Sequence, residues 1–350
     1  MSGKPLCLVT GACGFMGTHM VELLAQSGYP VRATDLEASC QQDDRKRGCF
    51  PSVVRATGAE LIPADLTDPG SLEKVCQGVE IVFHIAGLFK YSASWEALRA
   101  VNEQGTRNLL SALEARGRPR SFIMWGAGGV YGLPNADMLP LTEDTPVNPP
   151  NNYLRSKALA EQLVMEWCGK RGLAHAVLRP TTVYGPRAVY GGGQLVMGMA
   201  RMNPLMAPAN FTGRVPFVHV RDVVGAALHL AEKGQGVSGP YNVNDDSQMT
   251  QLDLMRFFAQ LTGHVFIKLP PIPIGAIRNG LSLVAGKVEH LARDVLHVAS
   301  PIEADTVQYL NRDFVYSNEK LKSTGYKFVY PDPRPGLAET LQWYRQEGWI

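Results

Sequence analysis

The sequence predicts an α/β protein: a doubly wound parallel sheet with a smaller C-terminal lobe. Three observations predict it. Short apolar runs alternate with longer helical patterns through the first half of the chain. Those runs are apolar throughout rather than every second residue, as strands covered on both faces are. A glycine-spaced turn, "TGACGFMG" (Thr10–Gly17), joins the first run to the first helix. Strands separated by helices and joined by right-handed crossovers wind into a parallel sheet covered on both sides.

The elements follow in order. "LCLVT" (6–10) is the first strand, and the helix after it runs to Ser27, closed by Gly28. "VRATD" (31–35) is the second strand; a charged connector leads to the third, "AELIPAD" (59–65). The helical stretch "SLEKVCQG" leads to "VEIVFHIAG", and "WEALRAVNEQGTRNLLSALEARG" leads to "SFIMW" (121–125). The helix "NNYLRSKALAEQLVMEWCGKRG" precedes "LAHAVLRP", which ends at Pro180. Residues 185–214, rich in Gly, Pro and Met, break the alternation. "VPFVHVRDVVGAALHLAEKG" then returns a strand and a helix to the main layer. The sheet domain is therefore expected over residues 1–180 plus 215–235. The lobe takes 181–214 and 239–330, and a terminal helix 331–350.

One lobe segment carries an apolar stripe: Ile274, Ile277, Leu281, Val284, Val288, Leu291, Val295 and Val298 recur at steps of three and four. It reads as an amphipathic helix packed on the rest of the lobe. Contact with a membrane surface or a partner is the alternative.

Bulk composition excludes several roles. The 350-residue chain is 45% hydrophobic and 19% charged, with a net charge of +2, so no nucleic-acid or other polyelectrolyte partner is implied. Arg45-Lys46-Arg47 follows Asp43-Asp44 and reads as a solvated loop. The six cysteines show neither a Cys-x-x-Cys pair nor zinc spacing, which predicts free thiols, a reducing compartment and no metal. No secretory leader pattern and no apolar run of about 18 residues is present, so a cytoplasmic protein without a spanning helix is expected.

The glycine-spaced turn carries the first chemistry. Gly11 permits the tight turn, Gly14 lets backbone approach a pyrophosphate, and Gly17 allows close helix–strand packing. Phe15, Met16 and Gly17 open the helix, whose free N–H groups and dipole favour phosphate. Asp35 ends the second strand, where a carboxylate accepts hydrogen bonds from ribose hydroxyls and repels a 2′-phosphate; NAD is expected over NADP. Asp65-Leu66 and "HIAG", with Ala86 and Gly87, end the third and fourth strands on the edge where a ligand lies. His84 is read as a satisfied strand-end histidine without a catalytic role.

Tyr153 and Lys157 stand four apart on one helix face. A nearby ammonium favours a phenolate, which would make Tyr153 a usable base near neutral pH. With "TGACGFMG", "DLTD", "HIAG", "VNEQGTRNLL", "VYG", "YLRSK", "LRPTTVYGP" and "VHVRDV" in this order, the chain resembles the extended short-chain dehydrogenases/reductases over nearly its whole length. That resemblance implies a Rossmann sheet binding NAD, with Tyr153 as acid/base and Lys157 tuning it and holding the nicotinamide ribose. It further implies that Asn102 supports the site, that Pro180 to Val183 border the nicotinamide, and that the chain forms a homodimer.

The chain departs from the family in "SFIMWGAGGVYG" (121–132). Relatives usually carry Ser or Thr at the positions of Trp125, Gly126 and Ala127, the catalytic hydroxyl falling at or near Ala127. Losing one such donor costs about 2.7–4 kcal/mol of transition-state stabilisation, a severe loss but not an abolition. Thr181, Thr182, Tyr131 or an ordered water are the candidate replacements.

For the substrate, Arg187, Arg201 and Arg214 are candidates for holding the diphosphate of a nucleotide sugar. Met197, Met199, Met202, Leu205 and Met206 instead suit an apolar ligand, or simply the lobe core. The C-terminal pattern resembles the 3β-hydroxysteroid dehydrogenase branch, which implies a lipophilic, sterol-like alcohol or ketone. A nucleotide-sugar epimerase or dehydratase is the second reading. A non-catalytic dinucleotide-binding protein is the third, and the retained Tyr153–Lys157 pair counts against it.

Overall fold

The computed structural model describes residues 3–116, 119–290 and 307–350. Its first half alternates strand and helix as expected. The strands are β1 (Cys7–Thr10), β2 (Val31–Asp35), β3 (Glu60–Pro63), β4 (Ile81–His84), β5 (Ser121–Trp125) and β6 (Ala174–Pro180). Between them run α1 (Phe15–Gln26), the short α2 (Glu37–Gln41) and α3 (Pro51–Ala56), and α4 (Pro69–Cys76). α5 (Trp95–Leu98) passes through a π-helical stretch, Arg99–Gln104, into α6 (Gly105–Arg116), and α7 (Asn152–Lys170) follows β5. Every residue of β1, β4 and β5 is buried, which is why these runs lack alternation.

Successive side chains leave opposite faces of the sheet and build two cores. Cys7, Val9, Phe83, Ile123 and Leu178 pack under α1 and, further along the chain, the helix Val220–Lys233. Leu8, Val82, Phe122, Met124 and Val177 pack under α4, α6 and α7. Burying each such side chain contributes about 1.5–3 kcal/mol.

Beyond Pro180 come β7 (Thr182–Tyr184), α8 (Gly192–Arg201), β8 (Leu205–Pro208), β9 (Phe217–His219), α9 (Val220–Lys233) and β10 (Gly239–Val243). α10 (Gln251–Thr262), β11 (Phe266–Leu269) and α11 (Ile274–His290) complete the lobe, and a last helix spans Pro333–Gln346. The main sheet has seven parallel strands in the order β10-β6-β5-β4-β1-β2-β3. The chain moves outward from β1 to β3 and then resumes at β4 on the other side of β1, so a crevice opens at the carboxyl ends of β1 and β4.

Three details differ from expectation. β10, assigned to the lobe, pairs with β6 as the edge of the main sheet, Tyr241 lying opposite Leu178. β9, assigned to the main layer, instead pairs with β7 in a separate two-stranded ribbon, while α9 does join the main layer. Both segments are too short for their pattern to name a partner, and only long-range register does so. The apolar stripe of α11 buries Ile274 but leaves Ile277, Leu281 and Val284 exposed, so its packing into the lobe is not met there. Leu291, Val295 and Val298 lie outside the described residues. The lobe core is built by Tyr184, Val196, Met199, Phe217, Phe258 and Tyr344.

Candidate active site

The crevice is floored by the Thr10–Gly17 turn. Gly11 adopts φ +67°, and a Cβ there would stand 2.9 Å from the Ala86 backbone. A Cβ on Gly17 would fall 2.0 Å from the Gly11 carbonyl oxygen, so turn and helix touch backbone to backbone. Gly14 differs: a Cβ would meet only Gly11 O, at 3.4 Å, and its φ of −76° is ordinary. Its α-hydrogen faces open space rather than protein. α1 has no side-chain cap and no acidic residue in its first turn, which leaves its positive end free for an anion.

Asp35 accepts from the Cys13 N–H through Oδ2 (3.0 Å) and from Leu36 N–H through Oδ1 (2.8 Å). Burial raises its pKa against the lowering effect of these bonds. The carboxylate thus braces the glycine turn from the end of β2. Asp65 accepts from Thr67 N–H and hydroxyl (both 2.8 Å), and Leu66 packs under the start of α6, within 2.7 Å of where a Gly105 Cβ would stand.

His84 has a structural account. Thr106 Oγ1 donates to Asn102 O (2.6 Å), so it accepts from His84 Nε2 (2.9 Å). His84 Nδ1 then accepts from Thr10 Oγ1 (2.8 Å), which itself accepts from the N–H groups of Ile85 and Ala86. Burial, then Lys157, lowers the imidazole pKa to about 3, so the ring is neutral.

Asn102 lies in the π-helical stretch, a feature frequent at functional sites. Its side chain accepts from Leu88 N–H (2.7 Å) and donates to Leu88 O (3.1 Å) and Ser156 Oγ (2.9 Å); Ser156 in turn donates to Tyr153 O. One side chain therefore clamps the loop after β4 onto the helix carrying Tyr153. Asn151 caps that helix through Leu154 N–H (2.9 Å).

Tyr153 and Lys157 are both buried on one face of α7. The Lys157 ammonium stands 3.7 Å from where a Gly87 Cβ would lie, at the end of the loop after β4. Burial lowers its pKa to about 8, against the opposing pull of Glu161. A buried ammonium beside Gly87 fits a dinucleotide ribose, as Gly14 and the open end of α1 fit its phosphates. The Tyr153 phenol does not follow expectation. Burial, then Tyr309 and Glu161, raise its pKa, and depression by Lys157 does not prevail.

Sequence reasoning missed the residue next along the helix. Glu161, four beyond Lys157, is buried with its Oε2 on Arg179 Nε (3.0 Å) and Nη2 (2.9 Å). Arg179 also donates to Tyr131 OH (2.9 Å), which donates to Asn242 (2.6 Å). Glu161 Oε1 stands 2.2 Å from where a Gly126 Cβ would be, so the carboxylate occupies the room of any side chain at 126. The continuing four-residue step on α7 and an arginine inside the apolar β6 were the available signals.

The other sequence candidates separate. Arg187 is paired with Glu22 and His19, Arg201 donates to Trp349 O, and Arg214 pairs with Asp313 (3.0 Å). Met197 and Met199 enter the lobe core, while Met202 and Met206 are exposed. Aromatic rings surround Tyr153 instead: Phe89 lies 4.9 Å away and Tyr91 meets it edge-on at 5.5 Å, with Tyr190 4.7 Å beyond Phe89.

A switch-point crevice with an uncapped glycine turn, facing a helix that offers a phenol and a buried amine, defines an NAD-dependent oxidoreductase of the short-chain type. The comparisons narrow this class. Residues 7–244 match the model of the NAD dependent epimerase/dehydratase family, and the chain belongs to that family, the extended short-chain dehydrogenases/reductases. It is similar to 3β-hydroxysteroid-dehydrogenase/decarboxylase isoform 2 of Arabidopsis thaliana, at 31% identity over 96% of this chain and 61% of that protein's length. It is also similar to human 3 beta-hydroxysteroid dehydrogenase type 7, at 36% identity over 97% of this chain and 95% of that one. UDP-glucose 4-epimerase of Thermotoga maritima, solved with UDP-glucose, shares the fold at TM-score 0.73 and 22% identity, covering 98% of this chain and 99% of that one. No helix among the described residues is long and apolar enough to cross a membrane.

Proposed function

We propose that this protein interconverts a ketone and a secondary alcohol on an apolar, sterol-like substrate. The observation that carries the reading is the aromatic surround of Tyr153. Phe89 and Tyr91 face the phenol, whereas each arginine suited to a diphosphate is committed elsewhere. Flat apolar rings gain from such a wall by burial and by ring contact. The similarity to hydroxysteroid dehydrogenases supports the same class of substrate.

NAD, when bound, supplies the partner for hydride exchange at the substrate carbon. Gly14 and the N-terminus of α1 would hold its phosphates, Asp35 its adenosine ribose, and Lys157 its nicotinamide ribose. Asp65, Leu66, Ala86, Gly87 and the segment from Pro180 to Val183 would border it along the crevice. The raised pKa keeps the Tyr153 phenol protonated, so it is equipped to give its proton to a ketone oxygen. Lys157, as an ammonium below about pH 8, favours the phenolate left behind. Asn102 holds the loop after β4 and the Tyr153 helix in fixed relation.

The test is absorbance at 340 nm with NAD or NADH and a panel of hydroxysteroids, ketosteroids and nucleotide sugars. Net NADH change confined to the steroid arm supports the reading. Conversion of a nucleotide sugar with no net absorbance change refutes it in favour of the epimerase, and dinucleotide binding with no turnover on any arm refutes it in favour of a binding protein.

A further inference from the structure

Tyr153 keeps only 9% of its surface exposed, although its phenol must meet the substrate oxygen. Two of the rings that close over it come from one loop: Phe89 at 4.9 Å, tilted by 40°, and Tyr91 edge-on at 5.5 Å. Those two also meet each other edge-on at 5.8 Å. Phe89 is the more exposed of the pair, at 46%, and it meets Tyr190 at right angles, 4.7 Å between centroids. Opposite it stands Gly191, where a Cβ would come within 3.7 Å of the Phe89 ring; the missing side chain leaves that edge clear.

Residues 85–94 form neither helix nor strand, and the loop is anchored on both sides of Phe89. Asn102 holds Leu88 by its N–H (2.7 Å) and its C=O (3.1 Å), and Ser94 caps α5 through Ala97 N–H (3.2 Å). Between these anchors lies a turn closed by Ala93 N–H on Lys90 O (3.3 Å). A ketone oxygen within hydrogen-bond reach of the phenol, about 2.6–3.2 Å, brings its carbon skeleton into the layer that Phe89 now fills. The ring must therefore leave. Half-exposed and in ring contact with Tyr153 and Tyr190, it opens at a modest cost, about tenfold in the fraction that stands open. A fused-ring substrate offers the displaced Phe89 a face to pack on and restores the lost contacts, whereas one small ring does not.

We propose that Phe89 is the specificity-determining residue of this site: its ring covers Tyr153 in the free protein, swings aside for the substrate and packs on it, so that fused-ring ketones are favoured over small ones. The inference rests on the ketone–alcohol reading given above. The Asn102 clamp then fixes the base of the loop while its aromatic tip selects what reaches the phenol.

Phe89→Ala tests it on the full-length protein by two measurements. Without substrate, tetranitromethane nitrates accessible phenols, and peptide mass spectrometry reads the rate at each tyrosine. Nitration of Tyr153 is expected to rise about tenfold or more, while that of Tyr184, buried in the lobe core, stays unchanged. With NADH, the ratio of kcat/KM for a ketosteroid to that for cyclohexanone is expected to fall about tenfold or more. Phe89→Tyr keeps the ring and is expected to hold both values. Wild-type nitration of Tyr153 in Phe89→Ala, or a wild-type ratio, overturns the inference and leaves the proposed function standing. Equal acceleration at Tyr153 and Tyr184 also overturns it, since the fold has then loosened rather than one cover lifted. A wild-type protein that converts nucleotide sugars and neither ketone overturns the function, and this inference with it.

Discussion

Gly14 and Gly17 stand three residues apart in one turn, yet the structure assigns alanine opposite effects at the two. At Gly17 an added Cβ would sit 2.0 Å from the Gly11 carbonyl oxygen and 2.7 Å from Ala12 Cα. Both obstacles are backbone, so α1 must move off the turn by roughly 1 Å, an overpacking cost of about 1–3 kcal/mol. At Gly14 the nearest atom is 3.4 Å away and φ is −76°, which alanine adopts without strain. There the folded protein is expected to hold its stability or gain about 0.4–1 kcal/mol through the unfolded chain. The added methyl instead enters the space facing the open N-terminus of α1. Dinucleotide affinity in Gly14→Ala is therefore expected to fall at least about tenfold, or 1.4 kcal/mol. Urea unfolding reads stability and titration calorimetry with NAD reads affinity. Wild-type affinity in Gly14→Ala would remove the phosphates from this turn, and wild-type stability in Gly17→Ala would refute the packing argument.

The remaining predictions concern the polar groups. If turnover requires the Lys157 ammonium, kcat/KM declines as pH rises through about 8; because Glu161 favours the charged amine, Glu161→Gln moves that limb to lower pH, and a pH–rate profile checks both. The same substitution weakens a buried ion pair with Arg179 and is expected to cost about 3–5 kcal/mol in denaturant unfolding. His84→Leu leaves Thr10 and Thr106 without their partner and is expected to cost about 2–4 kcal/mol, while the folded variant keeps kcat within a few fold; a large loss of kcat would restore a catalytic role to His84. Asp35→Ala is expected to narrow the ratio of NAD to NADP affinity by removing the repulsion of a 2′-phosphate, read by calorimetry with each dinucleotide.

Much of the sheet domain was legible because its signals are local. Strands β1, β4 and β5 are unbroken buried runs, and the demand for glycine at 17 follows from the Gly11 carbonyl six residues away. Tyr153 and Lys157 share a face through helix geometry alone, four residues apart on a helix capped by Asn151. Glu161 was one step further along the same face, but its meaning lies in Arg179 and Gly126, which are distant in the chain. The aromatic wall was illegible for the same reason. Phe89 and Tyr91 share one loop and Tyr190 lies in another, and no spacing rule links the two loops.

What the sequence by itself determined is the sheet, the glycine turn and the paired phenol and amine, since each is written in neighbours a few residues apart. Only tertiary structure decided that β10 closes the sheet, that three arginines are engaged elsewhere, and that the phenol is raised rather than lowered. Those outcomes depend on which distant groups exclude water from one another, and burial of that kind has no period to read along a chain.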